Sequence, residues 1–308
     1  MIDSENKEPE KQRHKAKFLS SEWYDGNYKK LLVVEIILII LALAYMAYFY
    51  NVNGDIMFKD TSLTGGTVIT VYGENISSED LTGFLNGKLS DFNTRILEDT
   101  YTRQQIAISL ETKEDVEKVK PILEEFLGYS LNNDNSSIEI TGSSLSESFY
   151  KELIYAICLA FLFMAIVVFF IFRKTIPSLA VIHAAFADIL FALVFANLFG
   201  FRLSTAGIAA LLMLIGYSVD TDILLTTRVL KRQGEGTVNS RIKHSVKTGV
   251  IMSLTALCAV TLGFFISQAQ TLRQIFFIMA AGIFFDMIAT WFGNASMIKW
   301  YCEKKKIN

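Results

Sequence analysis

Apolar runs long enough to cross a lipid bilayer dominate this sequence. A hydrocarbon core of about 30 Å needs about 20 consecutive, predominantly apolar residues in a helix. Six runs have about this length, and in chain order they are 31–50, 153–172, 178–199, 203–227, 248–266 and 275–298. Backbone groups in lipid must be hydrogen-bonded within their own segment, so each run is predicted to be a transmembrane helix.

Basic residues are concentrated on one side of these spans. The loops after the second and fourth spans are rich in Arg and Lys, whereas the short connections on the opposite side carry only Arg202 and Arg273. Positively charged loops stay in the cytoplasm. We therefore expect the segments 1–30 and 299–308 to be cytoplasmic, the insert 51–150 to be extracytoplasmic, and the chain to be a multi-pass protein of the cell membrane.

The insert 51–150 has the composition of a folded α+β domain. A strand-like segment at 66–72 is followed by a helical segment at 77–89 that opens with acidic residues. Two strand-like segments, a second helical segment and a short last strand follow at 92–101, 103–110, 112–127 and 137–141. The order βαββαβ is that of the ferredoxin-like fold.

The expected fold class is therefore an α-helical polytopic membrane protein with six transmembrane helices plus an α+β (βαββαβ, ferredoxin-like) extracytoplasmic domain. The five later spans, 151–298, are expected to form one bundle. The insert contains no His or Cys, so we expect no metal, no cofactor and no catalytic residue there. The net charge of −2 gives no positive field for nucleic acid. Cys158, Cys258 and Cys302 lack CxxC spacing and are expected to be free thiols.

Carboxylates inside the spans are the strongest functional candidates that the residues alone provide. A charged side chain there costs roughly 2.5–3.5 kcal/mol on insertion scales, so such residues are rare and functional by default. Glu35 lies near the start of the first span and is expected to extend to the interface. The remaining candidates for a proton or ion relay are Asp188, Asp220, Asp222 and Asp286.

Asp220 and Asp222 cannot both face the interior of one regular helix, because two residues correspond to about 200° of rotation. Gly216 lies one turn before Asp220, and small residues let helices approach closely. A packed interior removes water from a carboxylate and makes it able to bind and release a proton near neutral pH. This argument predicts that Asp220 faces the interior and that Asp222 points away.

The fourth span also carries a recognisable motif, in the segment LIGYSVDTDILLTTRVLKR at 214–232. It contains GYS at Gly216, Tyr217 and Ser218, an aspartate shortly afterwards, and Arg228 twelve residues beyond the glycine. Asp188 in the third span precedes the glycine by 28 residues. This pattern resembles the SecF family, which are subunits of the Sec protein-export machinery, and its VDTD form looks like the archaeal branch.

Further segments between residues 31 and 298 are similar to the same family. Gly65 and Gly66 belong to a TGGT segment at the start of the insert, and Lys247, Thr248 and Thr255 resemble the basic and hydroxyl pattern that enters the fifth span. The resemblance implies that Asp220 is the transport carboxylate, since it occupies the place of the corresponding aspartate in the partner subunit SecD.

By this resemblance the chain is an accessory subunit of the Sec translocase. It would act with a SecD-like six-span subunit beside the Sec protein-conducting channel, and would use the ion or proton gradient to promote movement of the translocating polypeptide. Such a subunit is not an enzyme and needs no cofactor.

Two other functions remain open from the sequence. One is half of a proton-driven small-molecule exporter of the RND type, a related superfamily. The other is an intramembrane aspartyl protease that pairs Asp188 with Asp220. Such proteases typically carry GxGD, whereas residues 216–220 are GYSVD.

Overall fold

The chain forms a helical membrane domain with a small α+β domain inserted after its first helix. The computed structural model describes residues 21–307 except 74–75, 100–101, 103, 233, 235 and 268. Most of the expected N-terminal segment 1–30 therefore lies outside the described residues.

The long helices account for the six apolar runs. They are α1 (Ser21–Asn53), α5 (Ser143–Phe172), α6 (Thr175–Leu198), α7 (Thr205–Lys231), α8 (Val238–Ile266), and a last span made of α9 (Gln270–Ile288), a π-helical segment (Ala289–Asn294) and α10 (Ala295–Lys305). All six are long and apolar enough to cross a membrane, which confirms the predicted set of spans. Several are longer than the apolar runs, because a helix continues through the polar headgroup layer while hydropathy marks only the hydrocarbon core.

The inserted domain has the predicted βαββαβ order. Its elements are β1 (Gly66–Tyr72), α3 (Ser78–Leu85), β2 (Phe92–Glu98), β3 (Gln105–Thr112), α4 (Val116–Leu127) and β4 (Ser136–Thr141), preceded by a short helix α2 (Thr61–Thr64). The strands form one antiparallel sheet in the order β2-β3-β1-β4. This is the arrangement of a ferredoxin-like domain, in which the two helices cover one face of the sheet.

Alternation along the strands creates the core of this domain. In β1 the side chains of Ile69 and Val71 are buried against the helices, and they pack with Leu81 of α3 and Leu123 of α4. Successive side chains of a strand point to opposite faces, so the neighbouring residues of β1 line the other face of the sheet. The domain therefore has a hydrophobic core of its own.

Two adjacent glycines join α2 to the sheet. Gly65 has a φ of 76° and Gly66 a φ of 138°, which are backbone conformations that favour glycine. A Cβ atom at Gly65 would lie 2.5 Å from the Cα of Ser143, where α5 begins. The close passage of the chain beside α5 explains why this position of the TGGT segment needs glycine.

The inserted domain is held against one end of the membrane helix bundle. Arg202, between α6 and α7, donates from Nη2 to Asp91 Oδ1 at 2.7 Å. Leu203 pairs with the linker after α1: its N–H donates to Phe58 O at 2.7 Å, and its carbonyl accepts from Asp60 N at 2.9 Å. The domain is thus docked by backbone hydrogen bonds and an ion pair.

Within the membrane domain, α6, α7 and α9 form the centre. In the most apolar 18-residue stretch of each helix, more than half of the residues of α6 and of α7 are buried, compared with 6% in α5 and 11% in α8. Glycine allows close contact: a Cβ at Gly282 of α9 would overlap Leu214 of α7. The exposed apolar faces of α1, α5 and α8 are suited to lipid or to other membrane helices.

Candidate functional site: a buried carboxylate cluster

Three aspartates from three central helices meet inside the membrane domain. Asp188 of α6, Asp222 of α7 and Asp286 of α9 each have no exposed surface. Asp286 lies next to Asp188 and Ser218, and it also interacts electrostatically with Asp222. Three carboxyl groups gathered away from water cannot all be ionised without a large cost, because each charge loses its hydration and repels the others.

A hydroxyl or amide group lies within hydrogen-bond distance of each carboxyl group. Ser218 Oγ donates to Asp188 Oδ2 at 2.5 Å. Asn294 Nδ2 donates to Asp222 Oδ1 at 2.7 Å, and Thr290 Oγ1 lies 2.9 Å from the same oxygen. These bonds fix the carboxyl groups while each retains one oxygen without a hydrogen-bond partner among the described residues.

Thr290 joins two of the aspartates. Its Oγ1 is 2.9 Å from Asp222 Oδ1 and 3.2 Å from Asp286 Oδ1. A hydroxyl has one hydrogen to donate, so both contacts are full two-centre hydrogen bonds only when one carboxyl group carries a proton and donates it to Thr290. The geometry therefore suits a site that holds a proton.

The π-helical segment Ala289–Asn294 supplies both donors to Asp222. Thr290 and Asn294 are four residues apart, and both point to the same carboxyl oxygen. A π-helical turn is wider than an α-helical one and is frequently found at functional sites. Here it begins three residues after Asp286 and lies between α9 and α10.

A fourth carboxyl group lies on the other side of the π-helical segment. Glu35 of α1 has no exposed surface, and its Oε2 is 3.5 Å from His183 Nε2 of α6. Its carboxyl group occupies the space where a Cβ of Gly293 would be. The expectation that Glu35 extends to the interface is therefore wrong, because the packing of α1 against α6 and the π-helical segment encloses it.

Asp220 does not join the cluster. Its side chain is exposed on the outer face of α7, one turn from Gly216, which is also exposed and has no atom within 4 Å of its Cβ direction. The expectation that Asp220 faces the interior and Asp222 points away is wrong, since the structure shows the reverse. The two residues do face opposite sides, as helix geometry requires.

Comparisons with known proteins give the family of the chain. A family model described as "Protein export membrane protein SecD/SecF, C-terminal" matches residues 118–304. Protein-export membrane protein SecF of Methanocaldococcus jannaschii is 39% identical over 282 residues, which cover 89% of this chain and 96% of that protein. SecF of Methanothermobacter thermautotrophicus is 35% identical over 283 residues, covering 90% and 93%. The chain belongs to the SecF family.

A solved structure shares the fold of this SecF-family chain. SecDF of Thermus thermophilus, described as a translocon-associated membrane protein, is similar with a TM-score of 0.72 at 20% identity. The match covers 93% of this chain and 38% of the SecDF chain. The present chain thus spans well under half of SecDF.

The SecF-like motif residues have separate places in the structure. Gly216 lies on the exposed side of α7, Tyr217 is half-buried with its hydroxyl enclosed near Ser253 of α8, and Ser218 contacts Asp188. Arg228 Nη1 donates to His244 O at 2.9 Å and to Thr248 Oγ1 at 3.0 Å, and so joins the end of α7 to α8. Lys247 is exposed beside Thr248. Thr255 is exposed and its hydroxyl contacts the carbonyls of its own helix, the nearest being Met252 O at 2.8 Å.

The pair required for an aspartyl protease, Asp188 with Asp220, is not formed. Asp188 is fully buried beneath Ser218, whereas Asp220 is on the opposite face of α7. Among the described residues no group of three or more His, Cys, Asp or Glu side chains could hold a metal ion.

Sequence reasoning missed Thr290, Asn294 and His183. All three are polar residues within apolar spans, and Thr290 lies one turn after Asp286. That spacing was a usable signal, because residues four apart share a helix face. The contribution of His183 could not be found in this way, since it depends on which helix packs beside α1.

Proposed function

We propose that this SecF-family chain is a proton- or ion-coupled subunit of the Sec translocase, in which the Asp188–Asp222–Asp286 cluster carries the coupling charge. The observation that supports this most strongly is the shared hydroxyl of Thr290, because its contacts with Asp222 and Asp286 are both full two-centre hydrogen bonds only when one carboxyl group carries a proton. One charge that moves through 100 mV supplies about 2.3 kcal/mol. Gain or loss of a proton would change the hydrogen bonds between α7 and the π-helical segment and so alter helix packing.

Glu35 and His183 are proposed to extend this site towards the start of α1. Glu35 interacts electrostatically with Asp188 and Asp222, and it contacts the π-helical segment at the residue before Asn294. His183 has a partly exposed side chain, with 30% of it accessible, while Glu35 is enclosed. The pair would therefore connect the enclosed carboxylates to the exterior of the helix bundle.

A SecD-like six-span subunit is the proposed partner of the exposed face of α7. Asp220 and Gly216 lie one turn apart on this face. A carboxylate that faced lipid there would be costly, and a glycine allows another helix to approach closely. Many transporters pair two structural repeats around a site near the bilayer midplane, which is consistent with a chain that corresponds to 38% of SecDF.

The translocating polypeptide is the proposed substrate of the extracytoplasmic domain. A cleft of about 270 Å³ lies between β2 and the outer ends of the membrane helices. Phe199, Phe201 and Phe264 supply apolar surface, while Arg95 and Arg273 supply positive charge. An extended chain of mixed sequence would find both kinds of contact in this cleft. The Sec protein-conducting channel, from which such a chain emerges, would lie beside the complex.

The coupling proposal is tested by two matched variants. Asp222→Asn keeps the size and most hydrogen bonds of the side chain but cannot be ionised, so export that depends on the gradient should be lost while the complex still assembles. Glu152→Gln, at an exposed carboxylate of α5, should retain gradient-dependent export, because it leaves both the cluster and the proposed partner face intact. The measurement is the rate of export of a secreted protein in inverted membrane vesicles, with and without an ionophore. Undiminished gradient-dependent export in Asp222→Asn would show that the cluster does not carry the coupling charge.

The proposed orientation places both chain ends in the cytoplasm and the inserted domain outside. In a variant without the native cysteines, a thiol introduced by Ser90→Cys should react with a membrane-impermeant reagent added to intact cells. A thiol introduced by Lys243→Cys in α8 should react only after the cells are opened. The opposite labelling pattern would show that the orientation is the reverse of the one proposed.

A further inference from the structure

A basic pocket lies where α7 ends and α8 begins. It has a volume of about 400 Å³. Among the described residues its lining contains no carboxylate and consists of Arg228, Arg232, Arg241, His244, Lys247 and Thr248. The permanent positive charges of Arg228, Arg241 and Lys247 repel one another in this pocket, so an anion there would stabilise the arrangement.

Arg241 is the residue that most needs such an anion. Its side chain is only 1% exposed, and Nη1 donates to Gly236 O at 3.0 Å. Nε and Nη2 have no hydrogen-bond partner among the described residues. Buried donors that lack acceptors carry a desolvation cost, and this cost is larger for a charged group. An acceptor with several oxygens in the pocket would satisfy these donors.

The other walls of the pocket are held in place by hydrogen bonds. Arg228 is fixed by its bonds to His244 O and Thr248 Oγ1. His244 Nδ1 lies 2.8 Å from Ser240 O, and because a carbonyl only accepts, this nitrogen carries the hydrogen. Lys247 is exposed and can extend over the opening. The pocket is therefore formed before any ligand enters.

The depth of the pocket places it at the lipid headgroups. α8 has 29 residues, or about 43 Å of helix at 1.5 Å per residue. Its apolar part begins at Thr248, and the 19 residues to Ile266 span about 28 Å, which matches the hydrocarbon core. The preceding turns, which carry Arg241 and His244, therefore extend into the headgroup layer.

We propose that this pocket binds the phosphate group of an anionic phospholipid headgroup. Guanidinium groups form paired hydrogen bonds with phosphate oxygens, and a tetrahedral phosphate offers acceptors in several directions at once. Basic pockets between membrane helices on the positively charged side of a protein are suited to such headgroups. The site is separate from the aspartate cluster and does not depend on proton coupling.

The test uses the full-length chain in nanodiscs of phosphatidylcholine that contain increasing amounts of phosphatidylglycerol. Thermal unfolding should shift to higher temperature as phosphatidylglycerol is added, and native mass spectrometry should show anionic lipid retained on the protein. Lys247→Gln removes one charge at an exposed position and should weaken the affinity for phosphatidylglycerol about fivefold. Arg241→Gln should weaken it about tenfold or more, because the paired contact is lost. Lys174→Gln, in the other basic loop, is the matched control and should bind as the unaltered chain does.

Three outcomes would overturn the proposal. Equal stabilisation by phosphatidylglycerol and phosphatidylcholine would show that the pocket has no preference for an anionic headgroup. An equal loss in Lys174→Gln and Lys247→Gln would show general attraction to a charged surface. Stabilisation by the same concentration of inorganic phosphate, without anionic lipid, would show that the ligand is a soluble anion.

Discussion

Among single residues, Glu35 gives the clearest test of how charge moves to the aspartate cluster. It is enclosed by His183 and by the backbone at Gly293. Among the described residues, neither of its carboxyl oxygens accepts a hydrogen bond. A buried group with so few partners contributes little to stability in its charged form. Its position beside the aspartate cluster supports the role in moving charge that we propose for it.

Replacement of Glu35 by Gln should leave the complex assembled but reduce the export that depends on the gradient, because the amide has nearly the same shape and cannot carry charge. His183→Gln should reduce the same export, since the two side chains form one pair. Glu152→Gln, an exposed carboxylate on α5, is the control and should not. The measurement is the export rate in vesicles with and without an ionophore, and undiminished gradient-dependent export in Glu35→Gln would contradict the assignment.

The sequence shows that Asp220 and Asp222 face opposite sides of α7. It does not show directly which of the two faces the interior, and Gly216 points to the wrong one. Gly216 suggested close helix packing beside Asp220, yet in the structure this glycine is exposed. A better signal was the stripe of buried residues along α7, namely Gly207, Leu211, Leu214, Ser218, Asp222, Leu225 and Val229. Their spacing of three or four residues marks one continuous face, and Asp222 belongs to it.

At the level of elements, the π-helical segment connects two sites that are far apart in sequence. Asn294 and Thr290 bind Asp222 on one side of the segment, while Gly293 accommodates Glu35 on the other. The spans were predictable from hydropathy because the hydrocarbon core sets their length. The π-helical segment was not, because its wider turn is stabilised by tertiary hydrogen bonds that no local pattern records.

Two glycine variants should distinguish contacts inside the helix bundle from contacts on its surface. Gly293→Ala puts a methyl group into the space of the Glu35 carboxyl group and should destabilise the chain by about 1–3 kcal/mol. Gly216→Ala meets no neighbouring atom within this chain, so it should be neutral or stabilising by up to about 1 kcal/mol. Thermal unfolding of the purified chain measures both effects.

The same Gly216→Ala variant should nevertheless weaken association with the proposed SecD-like partner, because the added methyl group lies on the face that we assign to it. Co-purification in mild detergent provides this comparison. Normal recovery of the partner with Gly216→Ala would indicate that the partner binds elsewhere on the membrane domain.

At the scale of the whole molecule, the relative placement of the two domains depends on contacts that the sequence does not reveal. The βαββαβ order was predictable from alternation and helix starts, and the six spans from their length. The docking was not, because Asp91 and Arg202 are 111 residues apart and neither belongs to a motif. Ion pairs between distant segments leave no periodic pattern in the sequence.

The Asp91 contacts make this docking sensitive to acid. Partial burial favours the neutral carboxyl group, but hydrogen bonds from Lys113 and Arg202 outweigh it and lower the pKa of Asp91 from its ordinary value. A carboxylate with a lowered pKa stabilises the docked arrangement above its ordinary pKa of about 3.9, and this contribution is lost as the pH falls through the lowered value. Docking should therefore be complete near neutral pH and should weaken only in strong acid.

Asp91→Asn should shift the balance towards undocked molecules at neutral pH. Since the pair with Arg202 is partly exposed, its loss should cost at most about 1 kcal/mol, which corresponds to a change of about fivefold in the ratio of docked to undocked molecules. Spin labels at Glu117 on α4 and at Leu198, the last residue of α6, should report a broader distance distribution in this variant. Asp115→Asn, an exposed carboxylate without a capping hydrogen bond, is the matched control. If Asp91→Asn and the control give the same narrow distribution, the backbone hydrogen bonds of Leu203 hold the domain without help from the ion pair.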